Sequence, residues 1–237
     1  YSWSTTPAQT TQIATGLATG NYSVQIKDPN NCIITKTLSI IQPSVLIAPI
    51  TASNVLCNGG ATGSATVTAG GGTPGYTYTW SPIGGNSATA TNLTVGSYTV
   101  LVKDANNCTI TAVTNITQPT VLTTAITSNS ILCNGASNGS ATVTAGGGTP
   151  GYTYTWSPIG GNASTASGLI AGTYTVLVKD ANNCTATAVT NITQPTTITA
   201  AATSGSILCN GGTTGATVTA GGGTPGYTYT WSPSGGN

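Results

Sequence analysis

The sequence predicts an all-β protein made of tandem β-sandwich repeats, and three observations carry that expectation. Thr, Val, Ile, Tyr and Trp alternate in short runs, while the good helix formers other than Ala are scarce. Gly and Pro punctuate those runs at turn spacing. The whole pattern also recurs: Cys57, Cys133 and Cys209 are 76 residues apart, as are Cys32, Cys108 and Cys184, and Trp3, Trp80, Trp156 and Trp231 keep nearly the same interval. Residues 64–86 and 140–162 are identical. Near-identity of this kind makes the units copies of one fold.

Thr-Gln-Pro at 117–119 and 193–195, and Ile-Gln-Pro at 41–43, mark the ends of repeats. Pro there stops a strand and stiffens the junction. The expected organisation is the C-terminal part of a repeat over 1–43, complete repeats of about 76 residues over 44–119 and 120–195, and the N-terminal part of another over 196–237, in an elongated array. We read the chain as a window onto a longer polypeptide.

Within 44–119, Leu46, Ala48, Ile50 and Ala52 alternate as a first strand, with Pro49 acceptable only at a sheet edge. Asn58-Gly59-Gly60 turns into a second strand marked by Ala65, Val67 and Ala69, and residues 70–75 form a Gly-rich loop. Tyr76, Tyr78 and Trp80 share one strand face, opposite Thr77 and Thr79. Gly84-Gly85-Asn86 turns the chain into a short Thr/Ala strand. Tyr98, Val100 and Val102 line another, and a turn at 104–107 leads into a last strand from Cys108. Leu93 and Gly96 ahead of Tyr98 match the tyrosine corner of immunoglobulin-like sandwiches, repeated at Tyr22 and Tyr174, with Trp80 in the place of the buried strand-C tryptophan.

Composition narrows the function. The chain carries four Lys, three Asp and no Arg, Glu or His, for a formal charge of +1. The usual proton-transfer groups are nearly absent, so no enzyme and no cofactor are expected. Nucleic-acid binding would need clustered Lys and Arg. Ile, Leu and Val make up only about 18% of the chain, yet the high net charge of disordered sequences is missing. No apolar run approaches the roughly 20 residues of a membrane span, so no membrane insertion of this segment is expected.

Cys-Asn-Gly-Gly, Gly-Ser-Ala-Thr-Val, Gly-Gly-Thr-Pro-Gly-Tyr-Thr-Tyr-Thr-Trp-Ser-Pro, Leu-x-x-Gly-x-Tyr-x-Val and Lys-Asp-Ala-Asn-Asn-Cys together resemble the SprB repeat. That resemblance implies long adhesins on the surface of gliding and other Bacteroidota, exported by the type IX secretion system. The function it implies is the shaft of an extracellular filament mediating surface attachment and gliding. Its partners would be neighbouring repeats, and surface polysaccharide or like filaments. The competing reading is a carbohydrate-binding module array on a secreted polysaccharide-degrading protein. Where family copies read Asp-x-x-Gly-Cys, Asn107 and Asn183 stand here, and Asn tolerates the left-handed conformation.

Six cysteines in a chain almost free of charge point to an oxidising, extracellular setting. With no His and no Cys-x-x-Cys, no metal site is expected. Sequence does not fix connectivity. Pairing within a repeat, Cys57–Cys108 and Cys133–Cys184, is favoured over the cross-boundary pair Cys108–Cys133, and leaves Cys32 and Cys209 with partners outside the chain. Each roughly 50-residue loop would contribute about 4 kcal/mol. Reduction would then lengthen the unfolding step of each repeat. Asp104 and Asn106 could ligate calcium, but one carboxylate is too few for a strong site, and an Asx turn is the simpler reading. Trp3, Trp80, Trp156 and Trp231, with Tyr22, Tyr98 and Tyr174, are expected in cores rather than on a sugar-stacking face.

Overall fold

The computed structural model describes residues 1–232; the end of the 196–237 segment lies outside the described residues. All its regular structure is β. The strands are β1 (Ser2–Trp3), β2 (Gly20–Lys27), β3 (Ile33–Ile40), β4 (Ile50–Ser53), β5 (Gly63–Val67), β6 (Thr77–Ser81), β7 (Thr89–Leu93), β8 (Gly96–Lys103) and β9 (Thr109–Ile116). They continue as β10 (Thr123–Asn129), β11 (Gly139–Gly146), β12 (Thr153–Ser157), β13 (Thr165–Leu169), β14 (Gly172–Lys179), β15 (Thr185–Ile192), β16 (Thr199–Ser204) and β17 (Ala216–Gly221).

Two compact units form, and they do not follow the sequence repeats. One comprises Tyr1–Ser53 and Ser64–Ile116; the other comprises Asn54–Gly63 and the chain from Thr117 onward. The first holds the antiparallel sheets β1-β2-β3, β4-β5-β7 and β6-β8-β9, and the second holds β10-β11-β13, β12-β14-β15 and β16-β17.

The sheets β10-β11-β13 and β12-β14-β15 face each other as a sandwich. With the six strands named A, B, C, E, F and G in chain order, the sheets read A-B-E and C-F-G, the immunoglobulin-like arrangement without strand D. Alternation along the strands decides which side chains meet between the sheets. Ala141 and Val143 of β11 and Ala166 and Leu169 of β13 pack on Trp156, Tyr174, Val176, Val178 and Ile192, with Ile131 closing one end. Burying a Val or Leu contributes roughly 1.5–3 kcal/mol, and this layer is where the repeat draws its stability. β10 also lies beside β15, and the Thr124 hydroxyl donates to the Thr187 carbonyl at 3.2 Å. In the other unit, Ala65, Val67, Trp80, Ala90, Leu93, Tyr98, Val100, Val102 and Ile116 are buried in the same pattern.

One difference between the copies follows from a single residue. β10 is continuous from Thr123 to Asn129 and pairs with β11 throughout. Its counterpart is broken: β4 starts only at Ile50, preceded by an isolated bridge from Ile47 to Gly70. Pro49 stands where the second copy has Ala125, and it has no N–H to give to the ladder.

The segment after β12 does more than turn the chain. β13 runs antiparallel to β11, and β12 runs antiparallel to β14. Only two residues separate β13 from β14, so that connection reverses direction. β12 and β13 therefore run the same way, and residues 158–164 return the chain from one end of the sandwich to the other while changing sheets. Seven residues reach about 23 Å, enough to pass a five-residue strand. The Gly-Gly-Asn signal there marks a crossover.

Candidate functional site

The built features of this chain lie in the cysteine-bearing loops at its repeat junctions. The loop Asn54–Gly63 wraps the following Thr-Gln-Pro segment. The Val55 amide donates to the Thr117 carbonyl at 2.9 Å, and the Thr117 amide donates to Asn54 Oδ1 at 2.9 Å. The Asn58 side-chain amide donates to the Pro119 carbonyl at 2.9 Å, while the Gly59 amide donates to Gln118 Oε1 at 2.8 Å. Gly59 has φ +74°, the left-handed region that glycine enters freely. The next loop repeats the clamp: Ile131 donates to Thr193, Asn134 to Pro195 and Gly135 to Gln194, each at 2.9 Å. The junction is thus held by side-chain bonds as well as by a stiff proline.

The second element is the turn between β14 and β15. Asp180 Oδ1 accepts from the Asn182 and Cys184 amides, both at 2.9 Å, and Oδ2 accepts from the Thr149 amide at 2.9 Å. Asp104 does the same with Asn106, Cys108 and Thr73, and Asp28 Oδ1 accepts from Asn30 and Cys32. At Asp104 and Asp180 the carboxylate accepts three backbone N–H bonds, which is the Asx-type turn. Among the described residues no group of three metal-ligating side chains converges. Asn31, Asn107 and Asn183, each directly before a cysteine, sit in the left-handed region with φ of 64°, 68° and 64°. Asn183→Ala is expected to cost about 1–2 kcal/mol of left-handed strain, and Asn183→Gly none of it, when the two are compared by denaturant unfolding.

The Thr73 amide holds the Asp104 carboxyl below the usual carboxylate range; burial opposes this, and the Cys108 and Asn106 amides add to it. The Thr149 amide does the same for Asp180, opposed by burial and supported by Cys184 and Asn182. With the folded pKa lowered, the stabilisation is fully present above the ordinary value of about 3.9 and is lost as pH falls through the folded value. Unfolding titrations are therefore expected to show stability flat from neutral pH to about pH 5 and falling below pH 4. Asp104→Asn with Asp180→Asn should flatten that acid limb.

The disulfide corrects the sequence expectation. Cys57 pairs with Cys184, 127 residues later, with Cα atoms 5.6 Å apart, in place of Cys57–Cys108 and Cys133–Cys184. Cys32, Cys108, Cys133 and Cys209 are exposed and unpaired. The reason is visible within one sandwich. Next to Cys133, Ile131 bonds to Thr193 just beyond the end of β15, whereas Cys184 precedes the start of the same strand. Eight strand residues separate those ends by about 25 Å, and a disulfide tolerates at most about 7 Å between Cα atoms. At the bond itself, Asn182 Nδ2 donates to the Leu56 carbonyl at 3.1 Å and to Thr149 Oγ1 at 2.9 Å.

The aromatic candidates fall as follows. Trp80 and Trp156 are buried, with Nε1 donating at 2.9 Å to the Ser87 and Ala163 carbonyls. Trp3 is half-buried and donates to Thr11 at 2.9 Å, and Trp231 is half-buried. The hydroxyls of Tyr22, Tyr98 and Tyr174 each donate at 3.1 Å to a carbonyl four residues earlier, on Ala18, Thr94 and Ile170. Tyr76 and Tyr78 are half-buried, and the Tyr76 hydroxyl donates to Gly71 at 2.6 Å. Sequence reasoning missed the Asn58 and Gln118 clamp, whose only sequence signal is its recurrence at Asn134 and Gln194.

The SprB repeat family model matches residues 50–85, 125–161 and 197–236. No curated protein matches the chain. Two solved structures are similar: one described as the structural basis for Dscam isoform specificity, at 15% identity and TM-score 0.31, and the N-terminal four Ig domains of Dscam1 isoform 6.44, at 14% and 0.29. Both matches cover 73% of this chain, which spans 53% and 54% of those chains, about half their length. The three family matches recur with the period of the cysteines and tryptophans, and the chain carries SprB repeats, as a repeat region of a cell-surface protein.

Proposed function

We propose that this chain is a length of shaft in a secreted bacterial adhesin filament of the Bacteroidota type, exported by type IX secretion, that carries attachment and gliding at the cell surface. The observation that carries this reading is the junction clamp, whose Asn-to-Pro and Gly-to-Gln bonds recur at two successive Thr-Gln-Pro segments. A chain that fixes each junction by the same bonds grows in length by repetition, each repeat relying on its own core and its neighbours. Stability drawn from packed β-layers and cross-links depends little on salt, as suits a chain of seven charges. Immunogold labelling of intact cells with an antibody to this segment tests the proposal. Label at many points along surface fibres is the expected result. Label confined to a fibre tip or to secreted soluble protein, or specific glycan-array binding by the isolated chain, would overturn it in favour of a binding module.

A further inference from the structure

A cleft beside Cys133 is lined by Leu132, Asn134, Pro195, Ile198 and Gly223, together with Cys133 itself. It is the counterpart, one repeat on, of the cleft at Cys57, lined by Asn58, Val121 and Leu122 and occupied along one wall by Asn183, Cys184 and Thr185. We propose that the cleft beside Cys133 is a socket for the Asp-Ala-Asn-Asn-Cys turn of the SprB repeat that follows in the same chain, closed by a disulfide to Cys133, so that one clasp recurs at every junction between consecutive repeats.

Three observations fix the occupant. The Cys57 socket already holds such a turn, anchored by the bond from Asn182 to the Leu56 carbonyl and by the disulfide. The socket at Cys133 has the same parts: a Cys-Asn-Gly loop with Gly135 at φ +75°, clamped to Pro195 and Gln194 as the first is to Pro119 and Gln118. Leu56, beside the seated turn, is 50% exposed, whereas Leu132 is 75% exposed. Register accounts for all six cysteines. Cys57, Cys133 and Cys209 are socket cysteines; Cys32, Cys108 and Cys184 are turn cysteines. A socket cysteine takes the turn cysteine of the next repeat, 127 residues later in the case of Cys57, and Cys57 with Cys184 is the one such pair in the chain. Cys108 and Cys133 stay unpaired although only 25 residues divide them in sequence.

Closure is an oxidation. The two thiols lose two protons and two electrons as the S–S bond forms, and a small-molecule disulfide such as oxidised glutathione takes both and leaves as two thiols. Extending the chain past Asn237 by a second copy of residues 163–195 completes a repeat that carries another turn cysteine. After refolding with oxidised glutathione, a non-reducing peptide map should show Cys57–Cys184 together with a new link from Cys133 to the added copy of Cys184, and one fewer free thiol than the original chain. A Cys133 that stays free, or pairs with Cys108 or Cys209, would overturn the proposal. A second variant needs no added segment: in the original chain, Cys184→Ser should leave Cys57 a free thiol. Its capture by Cys108 or Cys133 would show that pairing follows proximity rather than the socket.

Discussion

Pulled from its two ends with the disulfide intact, the chain is expected to yield no unfolding step of full repeat length. Cys57 and Cys184 close a covalent loop that contains β5 to β14, so tension passes through the bond and bypasses most of both complete repeats, leaving β4 and β15 outside the loop. Adding reductant puts 127 residues back under load. At about 3.3–3.6 Å per residue, total extension should increase by roughly 420–460 Å, appearing as repeat-sized steps. Single-molecule stretching with and without reductant measures this directly. Equal traces in both conditions would mean the bond is not formed. A gain of about 50 residues per repeat would restore the within-repeat pairing that the strand directions rule out.

Trp156→Ala is expected to be the most damaging single substitution, at about 3–5 kcal/mol. Its indole is buried between the two sheets against Val176, Ala166 and Leu169, and its Nε1 satisfies the Ala163 carbonyl inside the crossover 158–164. Truncation opens a cavity and frees the segment that sets the direction of β13. That loss is a large share of the stability of a small domain. Tyr174→Phe removes one hydrogen bond and leaves the ring in place, which should cost about 1 kcal/mol. Denaturant unfolding of the two variants beside the parent should separate them clearly. If Trp156→Ala melts with the parent, the tryptophan does not hold the core.

The repeats, the strands and the aromatic layer were legible because each rests on local chemistry. Alternation gives the strands, Gly and Asn give the turns, and a Tyr four residues after the right carbonyl gives the corner. Asp104 was legible for the same reason, since its three bonds go to a turn and a Gly-rich loop that the sequence already marks. Connectivity was not legible, and the cause is one segment. If residues 158–164 are read as a plain reversal, every strand alternates direction, and Cys133 and Cys184 fall at the same end. With the crossover in place β13 keeps the direction of β12, and the two cysteines move to opposite ends of β15. A chain with so few charges offers no ion-pair pattern that could have signalled the difference.

The cross-link changes what a protease can accomplish. Of the four lysines, Lys103 and Lys179 lie inside the loop closed by Cys57 and Cys184, and both are exposed. A tryptic cut at either one severs the backbone and still leaves the two ends covalently joined through sulfur. The same is true of a nick in the Gly-rich loops before Tyr76 or Tyr152. Along this stretch a single peptide bond can fail without the strand of protein parting, and the damage shows as separate fragments only after reduction.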